Sequence, residues 1–285
     1  MMIGKGLLAL AAGMLLGGMN DAAQAQSAKI ERGGYLINTV MTCHNCHTPM
    51  GPNGRDFSRA FSGGQVFDEP PFKVTGANIT QDKETGIGDW TDAQIKTLLR
   101  TGVRPNGVPV AAVMPTAFYG IMTESDMDAM VAYLRTVKPI KNAVPDPIYR
   151  MQIPHHAFPG SEKPYTEAML TDKVKKGFYL ATAAHCMECH TPLGAKGRDF
   201  EVSLGKGGHE FNGPWGKSVA RNITSSHDKG IGAWSDAEIK AAIATGVRKD
   251  GTKLKPPMGF PLYAKMTGDD LDAIVAYLRT VPARE

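Results

Sequence analysis

The sequence predicts an all-α protein built from two small helical domains in tandem. Three features support this prediction: an internal repeat over most of the chain, helix-capping signals at equivalent places in both copies, and a proline-rich stretch between them. Of the 285 residues, 42% are hydrophobic and 21% are charged, which is typical of globular domains and excludes a disordered or fibrous chain.

The two copies align at an almost constant separation. Residues 54–57 (Gly-Arg-Asp-Phe) recur 143 positions later, and after one inserted residue every later motif recurs at 144. Correspondence of whole motifs at a fixed offset indicates duplication of a domain. The later matches are residues 78–80 with 222–224, 86–90 with 230–234, 101–104 with 245–248, and 131–137 with 275–281.

Helices are predicted at equivalent places in each copy. A first helix leads into the cysteine motif described below, with Gly34 matched to Gly177. Each later helix begins with a Ser or Thr three positions before an acidic residue or Gln, the pattern of a capping box. These pairs are Thr91 with Gln94, Thr123 with Asp126, Ser235 with Glu238, and Thr267 with Asp270. The glycine-rich segments between the cysteine motif and the second helix are predicted to be loops.

Residues 1–25 are predicted to be a signal peptide that is removed on export. Lys5 precedes a short apolar stretch over residues 6–19, and residues 23–25 (Ala-Gln-Ala) form a small-residue cleavage site. We therefore expect a periplasmic protein, with an uncleaved anchor as the alternative. No later apolar stretch has the roughly 20 residues that a membrane-spanning helix needs.

The predicted domains are residues 26–138 and 171–285, joined by a connector over residues 139–170. The connector contains six prolines between positions 139 and 164, which exclude a long helix and favour an extended, semi-rigid chain. Its apolar residues Ile148, Tyr149, Ile153 and Phe158 predict that it lies over the surface of both domains.

The four cysteines fall in two identical patterns. Residues 43–47 read Cys-His-Asn-Cys-His and residues 186–190 read Cys-Met-Glu-Cys-His, and each is the C-x-x-C-H pattern of covalent haem c attachment. Two disulfides, a redox dithiol or a zinc site are the alternatives for cysteines in an exported chain. The predicted attachment residues are Cys43, Cys46, Cys186 and Cys189, and the first axial iron ligands are His47 and His190.

A second axial ligand is sought among the methionines, because methionine opposite histidine raises the reduction potential of haem. Two methionine pairs coincide in the repeat: Met114 with Met258, and Met122 with Met266. Met122 and Met266 directly precede helix N-caps, which predicts a packing role. Met114 and Met258 lie in proline-stiffened loops, so we predict that they are the ligands.

Other recurrent side chains could contact the haem propionates. A buried indole N–H or guanidinium group needs a polar partner, and a propionate is a suitable one. Core packing explains the same residues equally well. The candidates are Trp90 and Arg104 in the first domain and Trp234 and Arg248 in the second. The histidines without a counterpart in the repeat, including His44 and His185, are predicted to be solvent-facing or locally hydrogen-bonded.

Taken together, these motifs resemble those of the class I diheme cytochromes c. The chain is similar in particular to the cytochrome c subunits of bacterial periplasmic alcohol, aldehyde, gluconate and molybdenum-hydroxylase dehydrogenases. The resemblance covers both repeats and implies two covalent haem c groups and an electron-transfer function. It implies a periplasmic dehydrogenase as electron donor and another cytochrome or a terminal oxidase of the respiratory chain as acceptor. Many such subunits have a third haem domain and a membrane-binding tail that this sequence does not show, so membrane association stays open.

A diheme redox enzyme, such as a cytochrome c peroxidase or a thiosulfate-oxidising cytochrome, is the alternative to a carrier. A cysteine-ligated thiosulfate enzyme would need a fifth cysteine, and a peroxidase would need one iron open to peroxide. The equivalent methionines therefore favour a carrier. No nucleic-acid partner is expected.

Charge differs between the two copies. Residues 27–140 carry 11 basic and 11 acidic residues, whereas residues 171–285 carry 17 and 13. Lys253 and Lys255 lie just before Met258, so they either form a solvated loop or a basic rim that steers an acidic redox partner.

Overall fold

The computed structural model describes residues 7–52, 54–151, 156–194, 197–213 and 215–285. Within these residues the α-helices fall at equivalent places in the two copies, except that the counterpart of α8 in the first copy is a 3-10 helix over Thr116–Ile121. They are α1 (Leu7–Tyr35), α2 (His44–His47), α3 (Asp92–Thr101), α4 (Glu124–Leu134), α5 (Lys173–Ala183), α6 (Cys186–His190), α7 (Asp236–Thr245), α8 (Phe260–Tyr263) and α9 (Gly268–Leu278). Helix α1 runs without a break through the predicted cleavage site after Ala25. In the part of the chain described, no helix is both long and apolar enough to cross a membrane.

The all-α prediction is wrong, because short strands form four small antiparallel sheets. The strands are β1 (Met50–Gly51), β2 (Gly54–Arg55), β3 (Val66–Glu69), β4 (Phe72–Thr75), β5 (Ile148–Tyr149), β6 (Leu193–Gly194), β7 (Gly197–Arg198), β8 (Glu210–Gly213) and β9 (Gly216–Val219). All of them except β5, which lies in the connector, occupy the glycine-rich segments that were predicted to be loops. There the chain folds back on itself, and pairing of the two arms supplies partners for backbone groups that helices do not satisfy.

The predicted capping boxes of the second helices are confirmed. Thr91 and Ser235 each accept a hydrogen bond from the backbone N–H three residues later, and the backbone N–H of each donates in return to the side-chain oxygen of Gln94 or Glu238. Helix α3 ends at Gly102, whose φ of 70° is the left-handed conformation that glycine adopts at little cost.

The box predicted at the start of α4 is only half formed. Thr123 accepts from the Asp126 N–H at 3.1 Å, but the Asp126 carboxylate does not return to the cap. Instead the hydroxyl of Tyr179, from the second domain, accepts the Thr123 N–H at 3.4 Å and donates to Asp126 at 2.6 Å. The cap of a first-domain helix is therefore completed by the other domain.

A glycine lets the first and last helices of each domain cross closely. A methyl group on Gly33 of α1 would lie 1.9 Å from the Ala129 carbonyl oxygen of α4, and one on Gly177 of α5 would lie 1.9 Å from that of Ala273. Gly177 therefore corresponds to Gly33, and the predicted match to Gly34 is wrong. The extra residue between Gly33 and the first cysteine motif is taken up by a π-helix over Leu36–Val40, which holds one more residue per turn.

The connector packs against both domains, as predicted, through Phe158. This ring is 2% exposed and lies 4.8 Å from Phe118 of the first domain and 4.9 Å from Phe200 of the second, measured between ring centroids. Ile148 does not bury its side chain, which is 56% exposed. It lies instead in β5, whose backbone pairs with β4. Ile153 lies outside the described residues.

A tyrosine hydroxyl of each domain also forms a hydrogen bond with an aspartate of the other domain. Tyr35 of the first domain donates to Asp270 at the start of α9 at 2.6 Å, and Tyr179 of the second domain donates to Asp126 at the start of α4 at the same distance. The two contacts involve equivalent residues of the repeat. The domains therefore pack around a pseudo-twofold axis, which fixes the cysteine motifs relative to each other.

Candidate haem sites

Each cysteine motif forms one wall of a cavity. The motifs fold as the short helices α2 and α6, which turn the two cysteines and the following histidine towards the same space. The cavity volumes are about 220 Å³ in the first domain and about 650 Å³ in the second. Among the residues lining the first cavity are Cys43, Cys46, His47, Trp90, Arg104 and Met114. Among those lining the second are Cys186, Cys189, His190, Trp234, Arg248 and Met258.

The motif histidines are held as neutral imidazoles. His47 donates from Nδ1 to the Ala77 carbonyl oxygen at 2.7 Å, and His190 donates from Nδ1 to the Arg221 carbonyl oxygen at 2.6 Å. A carbonyl can only accept, so Nδ1 carries the proton and Nε2 keeps its lone pair. Burial lowers the pKa of both imidazoles below the ordinary value. A neutral ring held by a backbone carbonyl is the arrangement that metal-binding histidines use.

The cysteine thiols lie in an apolar environment. Burial raises the pKa of Cys43 to about 12, of Cys46 to about 11 and of Cys186 to about 12. A redox dithiol needs a lowered thiol pKa, so these sites do not resemble one. In the described residues, one group of potential metal ligands occurs, His185 with Glu188 and Cys189. It contains a haem-attachment candidate, and thioether formation would remove that thiol from the group.

In the first domain, only one of the two repeated methionines lines the cavity. Met114 lines the first cavity, whereas Met122 is fully buried in the hydrophobic core and is not among the lining residues of that cavity. In the second domain both Met258 and Met266 line the cavity. The packing role predicted for the second pair therefore fits Met122 better than Met266.

The arginines predicted near the propionates already have partners in the protein. Arg104 donates to the Pro109 carbonyl oxygen at 2.7 Å. Arg248 forms an ion pair with Asp250 at 3.0 Å and lies 6.0 Å from the centroid of the Trp234 ring. Both guanidinium groups still line their cavities, so each retains donors that can face a propionate.

His44, which has no counterpart in the second copy, is locally hydrogen-bonded and does not face solvent. His44 is 6% exposed and contacts Thr48 Oγ1 at 2.7 Å and Asn38 Oδ1 at 2.9 Å. Its ring stacks on Phe61 with 4.1 Å between centroids. His44 therefore supports the first motif from behind the cavity.

Sequence reasoning missed that the first domain contributes to the second cavity. Thr42 and Asn45, on either side of Cys43, line the second cavity together with Cys186 and His190. No sequence pattern signals this contact, because it arises from the packing of two separately folded repeats. The two cavities are consequently adjacent, with the first cysteine motif lying between them.

Two adjacent cavities, each with a C-x-x-C-H wall, a neutral histidine and a lining methionine, have the donor set and apolar walls that covalently bound haem requires. The cytochrome c family profile matches residues 30–138 and 174–282. The chain belongs to the cytochrome c family and carries two covalently bound haem c groups, one in each domain.

Individual relatives are cytochrome subunits of dehydrogenases. The chain is 32% identical to the fructose dehydrogenase cytochrome subunit of Gluconobacter japonicus, over 95% of this chain and 58% of the relative. It is 29% identical to the gluconate 2-dehydrogenase cytochrome c subunit of Pantoea cypripedii, over 99% and 66%. It is 27% identical to a diheme cytochrome c-type protein of Cereibacter sphaeroides, over 85% and 83%. The chain thus spans somewhat more than half the length of the dehydrogenase subunits that it matches.

Proposed function

We propose that this protein is a periplasmic electron carrier that takes electrons from a dehydrogenase and passes them to another cytochrome or a terminal oxidase. The observation that supports it best is the pair of adjacent cavities, each lined by a C-x-x-C-H motif and a methionine. In this proposal Cys43 and Cys46 attach the first haem, and Cys186 and Cys189 attach the second. His47 with Met114 would hold the first haem iron, and His190 with Met258 would hold the second.

Each bound haem c supplies a one-electron iron couple. A histidine and a methionine would together hold each iron, which would leave no coordination position open to a substrate. The Ala77 and Arg221 carbonyls fix the two imidazoles, which supports outer-sphere transfer over substrate chemistry. The contribution of Thr42 and Asn45 to the second cavity supports transfer between the two haems within one molecule.

A dehydrogenase partner is supported by the similarity to the cytochrome subunits of fructose and gluconate dehydrogenases. Both relatives extend beyond the part that this chain matches, so the partner's substrate is not carried over. The predicted signal peptide supports a periplasmic location. Purification of the tagged protein from its own host should recover a dehydrogenase, and recovery of the diheme protein alone at every ionic strength would argue against a stable complex.

Haem attachment is tested by removing one cysteine pair at a time. Cys43→Ser with Cys46→Ser should halve the haem that stays on the chain in a denaturing gel, and Cys186→Ser with Cys189→Ser should do the same. Removal of all four should abolish it. Retention of both haems in either double variant would contradict the assignment.

The axial methionines are tested by replacement with histidine. Met114→His should lower the potential of one haem, because methionine ligation raises the potential. It should also remove about half of the absorption that a methionine sulfur gives on ferric haem, since Met258 keeps its own contribution. Met122→Leu is the matched control, since its side chain lies in the core. Loss of the absorption band in Met122→Leu but not in Met114→His would refute the proposed ligand.

A further inference from the structure

The two domains differ at the outer edge of the hairpin beside each cavity. In the first domain, β5 of the connector adds a third strand to the β3–β4 hairpin, with Lys73 opposite Ile148 and Phe72 opposite Tyr149. The Arg150 N–H also donates to the Pro71 carbonyl oxygen at 2.9 Å. The first hairpin therefore carries an extended segment along its edge.

The geometry of the first domain identifies which backbone groups bind that segment. Paired residues of antiparallel strands alternate between hydrogen-bonded and non-hydrogen-bonded positions. Since residue 71 bonds residue 150, the next bonded pair is Lys73 with Ile148, so the Lys73 N–H and carbonyl face β5. The equivalent residue of β9 is Lys217, 144 positions later.

This edge of β9 has no strand beside it in the described parts of the chain. The Lys217 carbonyl receives only a 3.5 Å contact from the Lys255 ammonium group. An unpaired edge strand is a template for pairing with another extended segment.

The side chains around the two edges also differ, being apolar in the first domain and small or charged in the second. In the first domain Phe72, Val74 and Ala111 form a buried apolar cluster under β5. At the equivalent positions the second domain has Gly216, Ser218 and Lys255. The second cavity is also the larger of the two, about 650 Å³ against about 220 Å³. The second hairpin therefore leaves open a face that the first hairpin closes.

The open edge is positively charged. Lys217, Lys253 and Lys255 are exposed and line the second cavity. Lys217 pairs with Glu210 at 2.5 Å, but Lys253 and Lys255 form no ion pair with any described residue. Lys253 replaces Pro109, whose carbonyl accepts the Tyr149 hydroxyl at 2.6 Å in the first domain. The site that takes the tyrosine-bearing β5 segment in the first domain is thus basic in the second, where no strand of the described residues fills it.

We infer that the outer edge of β9 is a docking edge for an extended acidic segment of a redox-partner protein, which adds to the hairpin as an antiparallel strand. Backbone bonds to Lys217 fix the register, and Lys253 and Lys255 select for acidic side chains. Docking there brings the partner to the open side of the second haem cavity. This inference rests on the proposed electron-transfer function and names the surface through which it operates.

A labelled peptide tests the edge without a dehydrogenase. The probe is a fluorescein-labelled peptide of connector residues 144–151 carrying Arg150→Glu and Met151→Glu, compared with the unaltered peptide. Fluorescence anisotropy with the two-haem protein at low salt should show at least fivefold tighter binding of the acidic peptide, because opposite charges attract at the basic edge. Equal affinity of the two peptides would overturn the inference.

Variants separate backbone pairing from charge. Lys253→Glu with Lys255→Glu should weaken binding of the acidic peptide at least tenfold, whereas the control Lys163→Glu with Lys175→Glu, which makes the same change on exposed residues away from both cavities, should change it less than twofold. An equal loss in the control would overturn the inference.

Lys217→Pro removes the outward N–H together with the lysine charge, and proline is tolerated where an edge N–H faces solvent. It should weaken binding of the acidic peptide at least fivefold relative to Lys217→Gln, which removes the charge alone. Unchanged binding would overturn strand addition. If this variant loses haem, hydrogen exchange of the Lys217 amide in the unaltered protein is measured instead. This amide should exchange faster than the Lys73 amide, and its exchange should slow when the acidic peptide binds. Exchange that does not slow would overturn strand addition.

Two further measurements isolate this inference from its alternatives. A concentration-dependent dimer that the two lysine reversals abolish would assign the edge to a second copy of this chain and overturn the partner proposed here. The final extent of reduction by excess ascorbate, which needs no docking, should be the same in the control variant as in the unaltered protein. If the two haems of the unaltered protein could not be reduced, the electron-transfer proposal itself would fail, whatever the peptide does.

Discussion

Removing the hydroxyl of Tyr179 tests how the two domains are held together. This hydroxyl donates at 2.6 Å to Asp126, which is 5% exposed, and accepts the Thr123 N–H at 3.4 Å. Burial raises the pKa of Tyr179 well above its ordinary value, so the group stays a donor at any pH of interest. Arg32 also holds Asp126 with two bonds of 2.8 Å, which remain when the hydroxyl is removed.

Tyr179→Phe should therefore lower the free energy of unfolding by about 1.5–3 kcal/mol, the usual cost of losing a hydrogen bond to a charged group. The aromatic ring, and with it the packing, is retained. Urea unfolding followed by far-ultraviolet circular dichroism measures the loss as a shift of the midpoint at unchanged slope.

The equivalent contact provides a matched control. Tyr35 donates to Asp270 at 2.6 Å, but Tyr35 is only half-buried, and the Lys176 ammonium group also pairs with Asp270 at 2.5 Å. Tyr35→Phe should therefore cost less than Tyr179→Phe, because water can replace the lost donor. A loss below about 0.5 kcal/mol for Tyr179→Phe, which is within the scatter of surface substitutions, or a larger loss for Tyr35→Phe, would refute the reasoning.

Two other perturbations test the support of the first cavity. Burial, and secondarily the positive charges of Arg55 and Lys265, lowers the pKa of His44 from 6.5 to about 4, so between these values the unfolded chain binds a proton that the native protein does not. Stability should fall as pH drops through this window, by on the order of 2 kcal/mol, and His44→Gln should flatten that dependence in acid titrations while His156→Gln, on an exposed residue, should not. Gly33→Ala should cost at least about 1–3 kcal/mol through overpacking against α4, measured by thermal unfolding, whereas Gly268→Ala, with open space around it, should be neutral; equal melting temperatures would exclude the close helix crossing.

Much of the site could be predicted from the sequence because its signals are local. A C-x-x-C-H motif lies within one helical turn, so its spacing alone determines that the cysteines and histidine share a wall. The repeat then selected Met114 and Met258, and the structure places both on the cavity walls. The roles of these residues in binding iron stay predictions.

The hairpins could not be predicted by the same reasoning. Strands of two to four residues have too little periodicity to be distinguished from loops, and β4 is stabilised by β5, which lies more than 70 residues further along the chain. The shift from Gly34 to Gly33 likewise depends on a π-helix that has no sequence signature strong enough to reveal it.

The sequence by itself determined the covalent chemistry, the duplication, the helix caps and the family, because each depends on residue types at short, fixed spacings. Only the tertiary structure decided how the repeats contact each other, through the hydrogen bonds of Tyr35 and Tyr179 and through the contribution of Thr42 and Asn45 to the second cavity. It also decided that the outer edge of β9 is open. These features depend on contacts between residues far apart in the chain. Such contacts form only when burial of apolar surface brings the folded domains together, so no local pattern encodes them.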